Sequence, residues 1–287
     1  MPASSLTPQP TRIGGREFPW GSRTYVMGVL NLTPDSFSGD GLDTDVEAAI
    51  ALASAMQAHG ADIIDIGGES TRPGALPVSP DEELHRILPV LRRLKGQLDI
   101  PVSVDTYRAD VAEAALAHGA DMLNDIWGLR ADPRIAHVAA RAAVPVALMH
   151  NQRGPSYQDV VVDVIHSLKE SMKRAEAAGI LPSNIIVDPG FGFAKGPEEN
   201  LELLRRLDQI KEALGRPVLL GTSRKSTLGV VLGLPVTERL EGTAATIAIA
   251  IAKGVDIVRV HDVREMVRVV RVSDAVIRGW RRPEVTP

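Results

Sequence analysis

Tyr25-Val26-Met27-Gly28-Val29-Leu30-Asn31-Leu32-Thr33-Pro34-Asp35-Ser36-Phe37 separates two α/β architectures. Val26–Leu32 reads as a buried strand. An open doubly wound sheet would follow it with a Gly-x-Gly-x-x-Gly phosphate turn. The strand instead runs into Asn31-Leu32-Thr33-Pro34-Asp35, which is not that turn. Seven further runs have the same character: Asp62–Gly67, Val102–Asp105, Met122–Ile126, Val144–Met149, Ile185–Asp188, Val218–Gly221 and Ile257–Val260. They are nearly continuous in Val, Ile and Leu, as strands buried on both faces should be. With helical patterns between them, they predict a closed (β/α)8 TIM barrel.

Repetition supports this count. His59-Gly60-Ala61-Asp62, His118-Gly119-Ala120-Asp121 and Lys253-Gly254-Val255-Asp256 each end a helix on Gly and then open a strand. Thr44-Asp45-Val46-Glu47 reads as a capping box, and Ser79-Pro80-Asp81-Glu82 adds Pro at the first helical position. Leu84, Ile87, Leu88 and Leu91 recur at helical spacing and should face the barrel, with a kink at Pro89. Glu241–Lys253 is a helix of small residues, equally suited to the barrel wall or to a dimer contact. Residues 11–20 would plug the barrel's other end.

The chain has 287 residues, and α/β barrels reach roughly 250 residues as one unit, so a single domain over 13–287 is expected. Residues 1–12 carry Pro and Ser without an apolar signal core and read as a flexible tail. The net charge of −4 argues against nucleic acid, which needs a basic face. No stretch approaches the roughly 20 apolar residues of a membrane span, so no membrane is expected and the cytoplasm is the expected location. Without Cys, disulfide and thiol chemistry are excluded.

Parallel strands of a barrel expose their carboxyl ends on one rim. The predicted strands end at Asn31, Asp105, Asn124, Met149-His150, Asp188 and Ser223-Arg224-Lys225, then Arg259-Val260-His261, with Thr71-Arg72 past the second. Acids and amides at a rim suit a polar heterocycle, and cations suit a diphosphate. Asp105 and Asp188 each follow an apolar run, where an unpartnered carboxylate is costly. An ionised carboxylate accepts two parallel donors in a fork, such as the amino group and ring N–H of a pterin. Asp105 before Thr106 would equally cap a helix. Asp188-Pro189-Gly190-Phe191-Gly192-Phe193 is more pointed, since Gly lets backbone approach a ligand and Phe193 would stack on a flat ring. Asn124 has donor and acceptor sides, Met149 reads as lining, and His150 reads as structural. Arg259 and His261 share a strand face, and a buried Arg needs an anionic partner. Asn31 suits magnesium when phosphate oxygens supply the other ligands, with Asp35 as an indirect second partner.

From Tyr25 to the last helix the chain resembles the dihydropteroate synthase family. The matching blocks are Met27–Ser38, Asp65–Gly74, Val104-Asp105-Thr106, Leu123–Ile126, Asp188–Phe193, Ser223–Ser226, Arg239–Thr243 and Arg259-Val260-His261. Taken in order and at strand ends, they are highly specific. The resemblance implies that Asp105, Asn124, Asp188 and Lys225 hold a pterin, with Met149 and Phe193 lining its pocket. It assigns Asn31, Arg259 and His261 to diphosphate and Mg2+. It assigns Thr71, Arg72 and Phe37 to p-aminobenzoate, with Ser223 near its carboxylate. Phe37-Ser38-Gly39-Asp40-Gly41 departs from the family's Ser-Asp-Gly-Gly after that Phe, which puts a loop acid's role in doubt.

The implied reaction joins pterin diphosphate to p-aminobenzoate in a homodimeric enzyme, with Arg72, Lys225, Arg259 and His261 as the catalytic set. Departure of diphosphate should precede attack, because an aromatic amine is a weak nucleophile and a cation beside the conjugated ring is delocalised. Loops at Asn31–Gly41 and Glu69–Leu76 would close over the site. A methyltetrahydrofolate-dependent methyltransferase would have no use for Lys225 beside Ser223. A non-catalytic pterin-binding paralogue would be expected to lose Asn31 or Arg72. An aldolase-like barrel would leave Asp105, Asn124 and Asp188 without purpose.

Overall fold

The computed structural model describes residues 8–33, 42–70, 76–154 and 156–280. Thr11–Ile13 (β1) and Arg16–Phe18 (β2) pair antiparallel. The barrel strands are Tyr25–Asn31 (β3), Ile63–Gly67 (β4), Val102–Asp105 (β5), Met122–Asp125 (β6), Val146–Met149 (β7), Ile185–Asp188 (β8), Leu219–Leu220 (β9) and Ile257–Val260 (β10). The helices are Leu42–Ala58 (α1), Pro80–Leu94 (α2), Ala109–Ala117 (α3), Arg134–Ala142 (α4), Val160–Ala177 (α5), Pro197–Arg205 (α6), Leu207–Leu214 (α7), Ser226–Leu232 (α8), Leu240–Ala252 (α9) and Val263–Arg278 (α10).

All eight expected strands are present and run in the order β8-β7-β6-β5-β4-β3-β10-β9. The ring closes between β8 and β9 through a parallel bridge from Val187 to Val218, where the Val187 N–H donates to the Pro217 carbonyl at 2.9 Å. This seam is the thinnest. Val218–Gly221 was expected as strand, but Pro217 has no N–H to extend it backward and Gly221 weakens it forward. Pro145 likewise moves the start of β7 from the expected Val144 to Val146.

Alternation along the strands separates two apolar layers. Met27, Ile63, Met122, Ala147, Ile186, Leu219 and Ile257 point inward and form one buried cluster with Ile13, Phe18, Trp20 and Tyr25. The hairpin β1–β2 therefore plugs the barrel floor, as expected of residues 11–20. Phe18 and Trp20 pack on Tyr25 with ring centroids 4.8 and 5.5 Å away. Thr11 is buried and accepts the Trp20 indole N–H at 3.0 Å, so the expected boundary after residue 12 falls inside a strand. Thr11 thus belongs to the plug.

Outward residues such as Ile64, Ile66, Val104 and Leu123 pack under the helices. Ser79 caps α2 by accepting the Glu82 N–H at 3.1 Å. Ile87 and Leu91 are buried, Leu84 and Leu88 half-buried, and the helix continues through Pro89 to Leu94. α1 begins at Leu42, two residues before the expected cap at Thr44, because neither Leu42 nor Asp43 interrupts a helix. In α9, Thr243, Thr246, Ile247, Ala250 and Ile251 are buried, so one face of this helix serves the barrel wall, while Ile249 is exposed.

The repeated Gly-x-Asp segments have a shared purpose. Their glycines sit at φ +100°, +111° and +88°, which ends each helix. The aspartates then accept the N–H that opens a neighbouring strand: Asp62 from Val26 at 2.8 Å, Asp121 from Val102 at 2.9 Å and Asp256 from Val218 at 2.8 Å.

Candidate active site

Register brings the polar strand ends together. Asn31 stands opposite Gly67, Gly67 opposite Asp105, and Asp105 opposite Asn124, so these residues share one level of the rim. Met149 and Asp188 pair at the ends of β7 and β8. A cavity of about 410 Å³ opens here, lined by Asn31, Asp105, Ser223, Lys225, Arg259 and His261 among others. That is within the range of small-molecule sites. Asn124, Met149, Asp188 and Phe193 do not line it directly. Lys225 stands between: it lines the cavity and also places its ammonium 3.9 Å from the Phe193 ring centroid. The expected stacking face of Phe193 is thus covered by a cation, while Phe191 is ordinary core.

Arg259 is the hub. Its Nε donates to Asp65 at 2.6 Å and its Nη2 to Asp105 at 2.9 Å. The anionic partner that a buried arginine needs is thus supplied by the protein itself, as two carboxylates. Among the described residues Nη1 has none, so that edge of the guanidinium is available. Burial pushes the Asp105 carboxyl up, against the pull of Arg259. Burial also raises Asp188 to about 6, although its Oδ1 accepts the Gly190 N–H at 2.7 Å. The Lys225 ammonium is lowered to about 8 by burial and by Arg259.

His261 is not a cation. Burial, then Arg259, lowers it to about 3. Its Nδ1 lies 3.0 Å from the Ser223 hydroxyl, which also accepts the His261 backbone N–H at 3.2 Å. The hydroxyl still has its own proton to donate to Nδ1, and in that tautomer the ring proton sits on Nε2 as a neutral donor. Arg224, a cation of the Ser223-Arg224-Lys225 strand end, is paired with Asp262. Arg239 donates to the carbonyls of Arg224 and Lys225, holding the turn that presents Lys225.

The glycines of Asp188–Phe193 bring backbone close to protein rather than to a ligand. A Cβ on Gly190, at φ +72°, would lie 2.0 Å from the His150 carbonyl, and one on Gly192 would meet the Lys225 stem at 2.8 Å. This loop is tied down by residues the sequence did not single out. The Lys195 ammonium donates to the Gly190 and Phe193 carbonyls at 3.0 Å and to His150 Nδ1 at 2.9 Å. Burial lowers Lys195 to about 7, and burial with the Lys195 charge lowers His150 to about 3, so His150 is structural as expected. Asn200 accepts the Gly192 N–H at 2.7 Å and donates to Thr227 at 2.9 Å, joining this loop to α8. Lys195→Met would leave the Phe193 carbonyl and His150 Nδ1 unmet, while the Gly190 carbonyl keeps the Phe193 N–H. At about 1–3 kcal/mol per unmet group, we expect a loss of about 2 kcal/mol in denaturant unfolding. A midpoint equal to wild type would show that the staple is idle.

Asp65 was also missed, though it was visible: it interrupts Ile63-Ile64-Asp65-Ile66 on the inner face. It is fully buried and accepts from both Arg259 and Asn124, the latter at 3.0 Å. The expectations for Phe37, Thr71, Arg72, Asp35 and Asp40 lie outside the described residues.

The profile described as pterin binding enzyme matches residues 27–261. The dihydropteroate synthase of Clostridium beijerinckii is 51% identical over 268 residues, 93% of this chain and 99% of that protein. Among solved structures, Xanthomonas albilineans dihydropteroate synthase with 4-aminobenzoic acid aligns at TM-score 0.89 and 44% identity, covering 94% of this chain and 98% of that one. The same enzyme in complex with 7,8-dihydropteroate aligns at TM-score 0.86 and 42% identity, over 93% and 98%. The chain belongs to the pterin-binding enzyme family, and within it to the dihydropteroate synthases.

Proposed function

We propose that this chain condenses 6-hydroxymethyl-7,8-dihydropterin diphosphate with p-aminobenzoate, giving 7,8-dihydropteroate and diphosphate. The observation that carries the reading is the convergence of Asp105, Lys225, Arg259 and His261 on one cavity beside Asn31 and Ser223. Asp188, Asp105 and Asn124 hold the pterin through its donor edges. Lys225, the free edge of Arg259 and the neutral N–H of His261 face the leaving group.

The methylene C–O bond breaks, and its electron pair leaves with diphosphate. The amine nitrogen then forms the C–N bond and releases its proton. Among the described side chains none is placed to activate the amine strongly, so departure runs ahead of attack. Fixed donors aimed at the departing oxygen are the main source of rate here.

Magnesium is part of this reading. Among the described residues no group of three or more His, Asp or Glu could hold a metal, and Asn31 fits as a single oxygen ligand. When bound, the ion would neutralise charge on the leaving oxygens, with diphosphate and water completing its shell. We place the enzyme in the cytoplasm as a homodimer. Exposed Val272 and Val276 on α10 and Ile249 on α9 support a second copy. No described helix is long and apolar enough to cross a membrane.

The test is diphosphate release with each substrate alone and with both, with and without a chelator. Release should require p-aminobenzoate and should fall at least about tenfold on chelation, given the charge a metal offsets. Release without p-aminobenzoate at the full rate would overturn the reading.

A further inference from the structure

Asp65 touches neither the cavity nor solvent, yet it meets two of the groups that do the binding. It lies on β4, fully buried, with Oδ2 accepting from Arg259 Nε at 2.6 Å and from Asn124 Nδ2 at 3.0 Å. Its Oδ1 has no partner among the described residues, and neither does the Ser103 hydroxyl on the neighbouring strand. An amide side chain can be built either way round, and only its partners decide which end is which. Here they decide it: a carboxylate paired with an arginine can only accept, so the Asn124 NH2 must face Asp65. The Asn124 carbonyl oxygen and the second N–H are the groups that Asp65 leaves unengaged.

We infer that Asp65 is a positioning residue that sets the polarity of the Asn124 amide, so that its carbonyl oxygen and its one remaining N–H meet the ligand in a fixed order. The inference rests on the pterin reading above. It makes specificity a property of a residue that never meets the ligand. A ligand group facing the wrong end of a buried amide leaves both unpaired, and such mismatches decide selectivity.

Two replacements separate an acceptor from a mere counter-ion. Asp65→Asn keeps an oxygen in the Oδ2 position and loses the charge. Asp65→Leu keeps the bulk and loses the acceptor, freeing the amide to reverse. The readout is binding of a diphosphate-free probe, 6-hydroxymethylpterin, by titration calorimetry. The asparagine variant should bind within about threefold of wild type, and the leucine variant at least about tenfold more weakly, from one unmet buried group. Equal losses in both variants would show that only the charge matters and would overturn the inference, as would wild-type affinity in the leucine variant. If the leucine variant does not fold, a neutron structure of the wild-type pterin complex decides. It must place Asn124 Oδ1 on a ligand N–H, and the reversed amide would overturn the inference. Pterin binding by a wild type that releases no diphosphate would sink the proposed reaction while leaving this inference to be judged by the affinities alone.

Discussion

Arg259→Ala should lower turnover by at least about 100- to 1,000-fold, the usual cost of removing one well-placed charge-stabilising group. The structure makes the loss twofold in origin. The cation that would meet the leaving diphosphate disappears, and Asp65 and Asp105, each within 3 Å of it, lose their shared partner. Two uncompensated carboxylates beside the cavity then repel an anionic substrate. Breaking a buried pair also costs about 3–5 kcal/mol of stability, so the variant should unfold at clearly lower denaturant. Arg259→Lys would recover charge but not the fork that spans both aspartates, and should regain only part of the rate. A near-wild-type turnover in the alanine variant, measured on folded protein, removes Arg259 from the mechanism.

The second large effect is in pH. Burial raises Asp188 to about 6, so above that value it is ionised and able to accept the pterin's donors; below it, protonation removes the acceptor. Burial lowers Lys225 to about 8, so above that value the ammonium loses its charge. The specificity constant reports groups of the free enzyme. It should therefore follow a bell whose acidic side is set by Asp188 and Asp105, raised to about 6 and about 7, and whose alkaline limb lies near 8. Asp188→Asn should leave an acidic limb set by Asp105 alone while costing about 100-fold throughout, since one of the two acceptors becomes a donor facing donors. An acidic side that keeps its wild-type shape in this variant would remove Asp188 from the profile.

The fold was legible because buried parallel strands leave a plain trace: apolar runs that stop on polar residues, separated by helix-length intervals. The rim followed from topology, which is why Asn31, Asp105, Asn124, Asp188, Lys225 and His261 could be gathered from distant segments. What escaped was pairwise. Nothing in the spacing says that Arg259 is satisfied by Asp65, 194 positions away, or that Arg224 turns to Asp262. Such partners are chosen by where strands land in space. Lys195 escaped for the same reason: a lysine in a loop reads as solvated until the loop folds back over it. The state of His261 was also hidden, because a strand-end histidine looks like a cation until burial and Arg259 are known.

The aspartates at the foot of the barrel have a consequence for how this enzyme can change. Asp62, Asp121 and Asp256 stitch adjoining strands at the end opposite the chemistry. Rigidity is thereby concentrated where no substrate arrives. Mutations that reshape the mouth can accumulate without loosening the ring, whereas drift among these three acids would weaken the whole molecule at once.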